Sequence, residues 1–116
     1  NMEEFVVQMP SGRYLTLPQE DAYEIVSHMG GGCKPENMDS LAIDLINAYN
    51  FSWCPSAPSE YEYSKRHVSD SEVEDYMFHD IEKYGLDAVL SQLKEEAIHM
   101  MYCLNALGYH KRNVVD

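Results

Sequence analysis

Residues 86–107, LDAVLSQLKEEAIHMMYCLNAL, constrain the fold more than any other part of the chain. Read as one helix of 22 residues, the stretch spans roughly 33 Å at about 1.5 Å per residue, the width of a small domain. Leu86, Val89, Leu90, Leu93, Ala97, Met100, Met101, Leu104 and Leu107 then share one arc, while Asp87, Gln92, Lys94 and Glu95 lie off it. Such a stripe belongs to a core helix. In the second half Ile98, Tyr102, Cys103 and Ala106 add apolar surface away from the main arc, so this half is expected to be covered on two sides. A second copy of the chain is one candidate cover, with Ile98, Tyr102 and Ala106 as the homodimer seam.

The preceding segments supply what packs against this helix. Residues 3–9 alternate, with Phe5, Val7 and Met9 on one side, and Pro10-Ser11-Gly12-Arg13 carries turn chemistry before a second run at 14–17. These residues predict a β-hairpin. Thr16-Leu17-Pro18-Gln19 has the form of a capping box, which predicts a helix over 18–29 with Ala22, Ile25, Val26 and Met29 buried, ended by Gly30-Gly31-Gly32. Pro35 opens a second helix to residue 50, with Met38, Leu41, Ala42, Leu45, Ala48 and Tyr49 at core spacing and Ile43 and Ile46 off the stripe. Pro55 and Pro58 break the pattern over 51–68, where Trp53 is read as a core plug and Tyr61 and Tyr63 as contact aromatics. A second capping box, Ser69-Asp70-Ser71-Glu72, and the stop at Gly85 bound a helix over 70–84, with Val73, Tyr76, Met77, Ile81 and Tyr84 as its expected core stripe. The chain is therefore read as one domain over residues 2–116, α+β and mostly helical, with about four helices, an N-terminal hairpin and a long central C-terminal helix. Asn1 ahead of Met2 is set aside as an expression remnant.

Twenty acids against eight bases leave a formal charge of −12. That balance argues against direct nucleic-acid binding through phosphate neutralisation and against an anionic membrane surface. The opposite partner, a basic protein surface, is the expectation. Between residues 60 and 87 there are nine acids against Lys65, Arg66 and Lys83. On the helix over 70–84 the arc read as opposite the core carries Glu72, Glu74, Asp75 and Glu82, with Phe78 in the same arc as an apolar anchor. Asp70, Glu60 and Glu62 extend the expected partner-binding set. Duplex DNA carries about one negative charge per 1.7 Å of axis, so dense carboxylate rows are what a protein imitating nucleic acid requires. Asp80 stands out, because its angle sets it within the Val73, Met77 and Tyr84 stripe, where a carboxylate must be paired, protonated or hydrogen-bonded.

Catalytic chemistry finds little support. No G-x-S-x-G elbow or Cys-His constellation is present, so no enzyme activity, catalytic residue or cofactor is assigned. His99 and Cys103 are four apart, a spacing that offers two ligands to zinc, and Glu96-Ala97-Ile98-His99 matches half of a di-iron motif whose second copy is missing. They stand as weak metal candidates only. Three cysteines far apart at Cys33, Cys54 and Cys103, with no membrane-length apolar run and no leader pattern, point to the cytoplasm.

In size, charge and lack of a catalytic motif the chain resembles, as a class and without a shared motif, the small acidic inhibitors that phages direct at host nucleases and the acidic immunity proteins that neutralise nuclease toxins. The resemblance implies a non-enzymatic protein that binds and inhibits a basic, nucleic-acid-handling partner. The alternatives are a homodimeric structural or interaction module and a metal-binding protein using His99 and Cys103.

Overall fold

Alternating residues and a glycine-containing turn build the first element. In a computed structural model, which describes residues 3–31, 35–51 and 69–106, strand β1 (Glu4–Gln8) pairs antiparallel with β2 (Tyr14–Pro18). The register sets Phe5 opposite Leu17 and Val7 opposite Leu15, and these four side chains face the core because successive strand residues point to opposite faces. Glu4, Val6, Gln8, Tyr14 and Thr16 form the outer face and are exposed. Between the strands, Gly12 takes φ +97°, a conformation costly for any residue with a Cβ, and its amide donates to the Met9 carbonyl at 2.8 Å.

The strand continues further than the capping box implied. Thr16 is paired with Val6, so its backbone is committed to the ladder and its side chain points to solvent. Helix α1 (Gln19–Val26) accordingly starts on Pro18 with no side-chain cap, and the Gln19 amide donates to the Glu3 carbonyl at 2.9 Å, extending the strand pairing by one bond. The helix also ends before the glycines, widening into a π turn over Ser27–Gly31. Pro35–Ser40 is a 3-10 turn and α2 proper runs over Leu41–Phe51, so the single helix expected over 35–50 is two geometries in series. Ile46 is buried while Ile43 is exposed on the outer side of α2.

Helix α3 (Asp70–Tyr84) has the bounds its end signals predict. Ser69 Oγ accepts from the Glu72 amide, and the Glu72 side chain reaches back to the Ser69 amide, so both arms of the capping box form. Gly85 stops the helix at φ +95° and ψ 151°, its amide donating to the Ile81 carbonyl at 2.8 Å. That ψ is extended rather than left-handed helical, so the chain turns at once into α4 (Leu86–Ala106) instead of closing a full Schellman motif. In α4 the stripe Val89, Leu90, Leu93, Ala97 and Met100 is buried, Leu86 and Met101 are partly buried, and the helix packs against α1, the π turn, α2 and α3. One cluster of buried side chains draws on both strands and all four helices. The protein is α+β and mostly helical, and no described helix is long and apolar enough to cross a membrane.

Candidate functional site

Helix geometry decides which carboxylates of α3 meet water. Residues three, four and seven apart share a face, and Glu74 stands at those offsets from Met77, Phe78 and Ile81. It therefore belongs with the core, and the arc drawn from Glu72, Glu74, Asp75 and Glu82 is wrong at this member. The Glu74 side chain is fully buried. Its oxygens accept from the Ser11 amide at 3.2 Å, from the Ser11 hydroxyl, from Arg13 Nε at 2.9 Å and from Arg13 Nη2 at 2.8 Å. A carboxylate withdrawn from water needs such donors to offset its lost hydration. The hairpin turn supplies all of them.

Arg13 also reaches Asp75, with Nη2 2.7 Å from Oδ1, and its guanidinium lies 4.3 Å from the centroid of the Phe78 ring. The acidic row is thus interrupted in the middle: Glu74 is inside, Asp75 is exposed but shares the single positive charge of Arg13, and Phe78 is half-buried beneath that cation instead of standing free as an anchor. Asp70, Glu72 and Glu82 remain exposed on α3. The core arc of α3 is turned correspondingly. Tyr76 and Tyr84, expected inside, are 54% and 60% exposed, while Glu74 and Phe78 take the core-facing side. Asp80 sits at the edge between these faces and accepts the hydroxyl of Tyr49 from α2. A tyrosine hydroxyl is one of the ways to satisfy a carboxylate in that position.

A second clamp joins α1 to α4. Lys94 Nζ lies 2.8 Å from Asp21 Oδ1 and 3.8 Å from Glu24 Oε1. The hydrogen bond with Asp21, outweighing partial desolvation, holds the ammonium above its usual pKa. Seventeen of the twenty acids but only three of the eight bases fall in the described residues, and two of those bases, Arg13 and Lys94, are tied up in these clamps. The third, Lys83, lies 5.1 Å from the Tyr84 ring centroid. The exposed acids are consequently distributed over several elements: Glu3 and Glu4 on the hairpin, Glu20 on α1, Asp70, Glu72 and Glu82 on α3, Asp87 and Glu95 on α4. None of them has an ion-pair partner among the described residues. Among the described residues the exposed acids are spread over the hairpin, α1, α3 and α4, in place of the concentration on one face of α3 expected from sequence.

The metal candidates lie on the outer half of α4. His99 packs its ring against Phe51, with centroids 5.4 Å apart. Burial pushes the Glu96 carboxyl above its ordinary pKa while His99 pulls it down, and Glu96 Oε1 has no hydrogen-bond partner among the described residues. Among the described residues no three His, Cys, Asp or Glu side chains converge as a metal site. The Cys103 side chain lies outside the described residues, as do Cys33, Cys54, Trp53, Tyr61, Tyr63, Glu60 and Glu62. Of the seam residues, Ile98 and Tyr102 are exposed, and the Ala106 side chain is not described. Compared with known protein families, with curated proteins and with solved structures, the chain matches none.

The residues that sequence reasoning missed are Ser11 and Arg13. In sequence both belong to turn chemistry alone, and no local pattern ties them to a glutamate more than sixty residues later. Glu74 itself carried a signal, its seven-residue offset from Ile81.

Proposed function

We propose that this is a non-enzymatic protein that binds a basic protein surface, of the kind used to hold nucleic acid, and inhibits its owner by occupying that surface. One observation supports the reading: the chain holds twenty acids against eight bases, and two of those bases, Arg13 and Lys94, are already engaged by Glu74, Asp75, Asp21 and Glu24. The exposed carboxylates that have no ion-pair partner among the described residues are the groups offered to a partner. Long-range attraction between such a body and a basic groove raises the association rate and excludes acidic competitors. The contact is not confined to α3. Asp70, Glu72 and Glu82 contribute there, together with acids on α1, α4 and the hairpin.

The test is capture on the immobilised full chain at low and high salt, followed by elution with duplex DNA. Retained proteins should be basic, should be released as salt rises, and should be displaced by DNA as a competitor for the same surface. Retention of no basic protein at low salt, or retention indifferent to both salt and DNA, rejects the proposal.

A further inference from the structure

The outward side of α4 repeats at the same spacing as its buried side. Ala88, Ser91, Glu95, Ile98 and Tyr102 follow one another at alternating intervals of three and four, the interval that keeps positions on one helix face, and all five are exposed. Ala88 and Ser91 are small. Ile98 and Tyr102, one turn apart, are large and apolar, and they are 50% and 74% exposed. From the first to the last of the five the seam runs roughly 21 Å at about 1.5 Å per residue, enough for about four turns of a partner helix.

The sign of the charge selects the occupant. Glu95 lies within the seam and Asp87 beside its N-terminal end, both exposed and neither ion-paired among the described residues. The neighbouring Lys94 gives no relief, because it is turned away to Asp21 and Glu24. A second copy would bring the same acids, on an equally acidic body, against this face. A cationic segment would be drawn to it. Resting on the reading of the protein as a binder of basic surfaces, we infer that this seam docks an amphipathic basic helix of the partner, whose apolar stripe covers Ile98 and Tyr102 and whose lysines or arginines meet Glu95 and Asp87. The apolar anchor of the interface is then Tyr102 on α4, in place of Phe78 beneath Arg13.

The experiment titrates the isotope-labelled full chain with two probes, a synthetic helix of leucine and lysine at heptad spacing and poly-lysine of equal charge. The leucine–lysine helix should shift the amide resonances of residues 91–102 first. The double variant Ile98→Ser with Tyr102→Ser, and Tyr102→Ser alone should the double variant unfold, should weaken that helix about tenfold or more and leave poly-lysine binding unchanged. Equal affinity of the variants for the leucine–lysine helix overturns the seam while the acidic-surface reading stands. Failure of both probes to bind at low salt overturns both. Sedimentation of the free protein as a dimer that the serine variants dissolve makes a second copy the occupant and overturns the proposal.

Discussion

The hydroxyl of Tyr49 in α2 donates to the carboxylate of Asp80 in α3, and the same hydroxyl lies 3.3 Å from the Tyr76 carbonyl oxygen. Two helices are thereby tied where one of them exposes Tyr76 and Tyr84 to water. Tyr49→Phe keeps the ring in the core and removes only the donor. With Asp80 still one third exposed, water takes over part of the lost bond, so the cost should be about 1 kcal/mol in chemical unfolding. A double-mutant cycle with Asp80→Ala should show coupling of about 0.5 kcal/mol or more, and strict additivity would contradict the pairing.

Removing Arg13 should be far more damaging than its position in a surface turn suggests. Arg13→Ala leaves Glu74 buried with Ser11 as its remaining donor among the described residues, and an uncompensated buried charge costs about 3–5 kcal/mol. Arg13→Leu combined with Glu74→Leu removes both charges, so its loss should be smaller than that of Arg13→Ala alone. Thermal or urea unfolding of the three proteins checks the order.

Asp44 provides a prediction with a defined pH window. Burial pushes its carboxyl from 3.8 to about 6, against the hydrogen bond from Ser40 Oγ at 2.8 Å, which pulls it down. The folded state thus holds a proton that the unfolded chain has already released between those two values. The linked stability is fully present below the lower value and is lost as pH rises through the upper one. Asp44→Asn should therefore gain on the order of 1 to 2 kcal/mol over the parent near about pH 7, discounted for partial exposure, and nothing near about pH 4. Unfolding curves of both proteins across that window should converge on the acid side.

Asn50 is 1% exposed, and neither amide atom has a hydrogen-bond partner among the described residues. A buried polar group left unpaired costs about 1–3 kcal/mol. Asn50→Leu, close in volume and without polar atoms, should raise stability by about 1 kcal/mol. A lower melting temperature for this variant would show that the amide is satisfied in solution.

Local chemistry was legible where a few adjacent residues decide the backbone. Ser69 with Glu72 and then Gly85 fixed both ends of α3, and the alternation of Phe5 and Val7 marked the inner strand face. The errors arose where distant residues compete. Thr16-Leu17-Pro18-Gln19 spells a capping box, yet pairing with Val6 keeps Thr16 in the sheet. Helical spacing from Val73, Met77 and Ile81 puts Tyr76 and Tyr84 on the expected core stripe and Glu74 on the opposite arc. The hairpin turn reverses the second assignment by bringing donors to Glu74, while the first fails because the buried arc of α3 is rotated towards Glu74 and Phe78. The broad acid excess was readable from composition. Its interruption by Arg13 was not, since it depends on a contact across 61 positions of chain.

That contact also sets an order of events during synthesis. The tip of the hairpin is fastened by Ser11 and Arg13 to a residue emerging from the ribosome about 3–12 s later, at about 5–20 residues per second. Until Glu74 has left the exit tunnel, the strands can already pack on α1 and α2, but the donors at the tip of the turn lack the carboxylate they hold in the finished fold. In a nascent chain stalled before α3, the turn at Ser11 and Arg13 would therefore stand open to proteases without the carboxylate that fastens it.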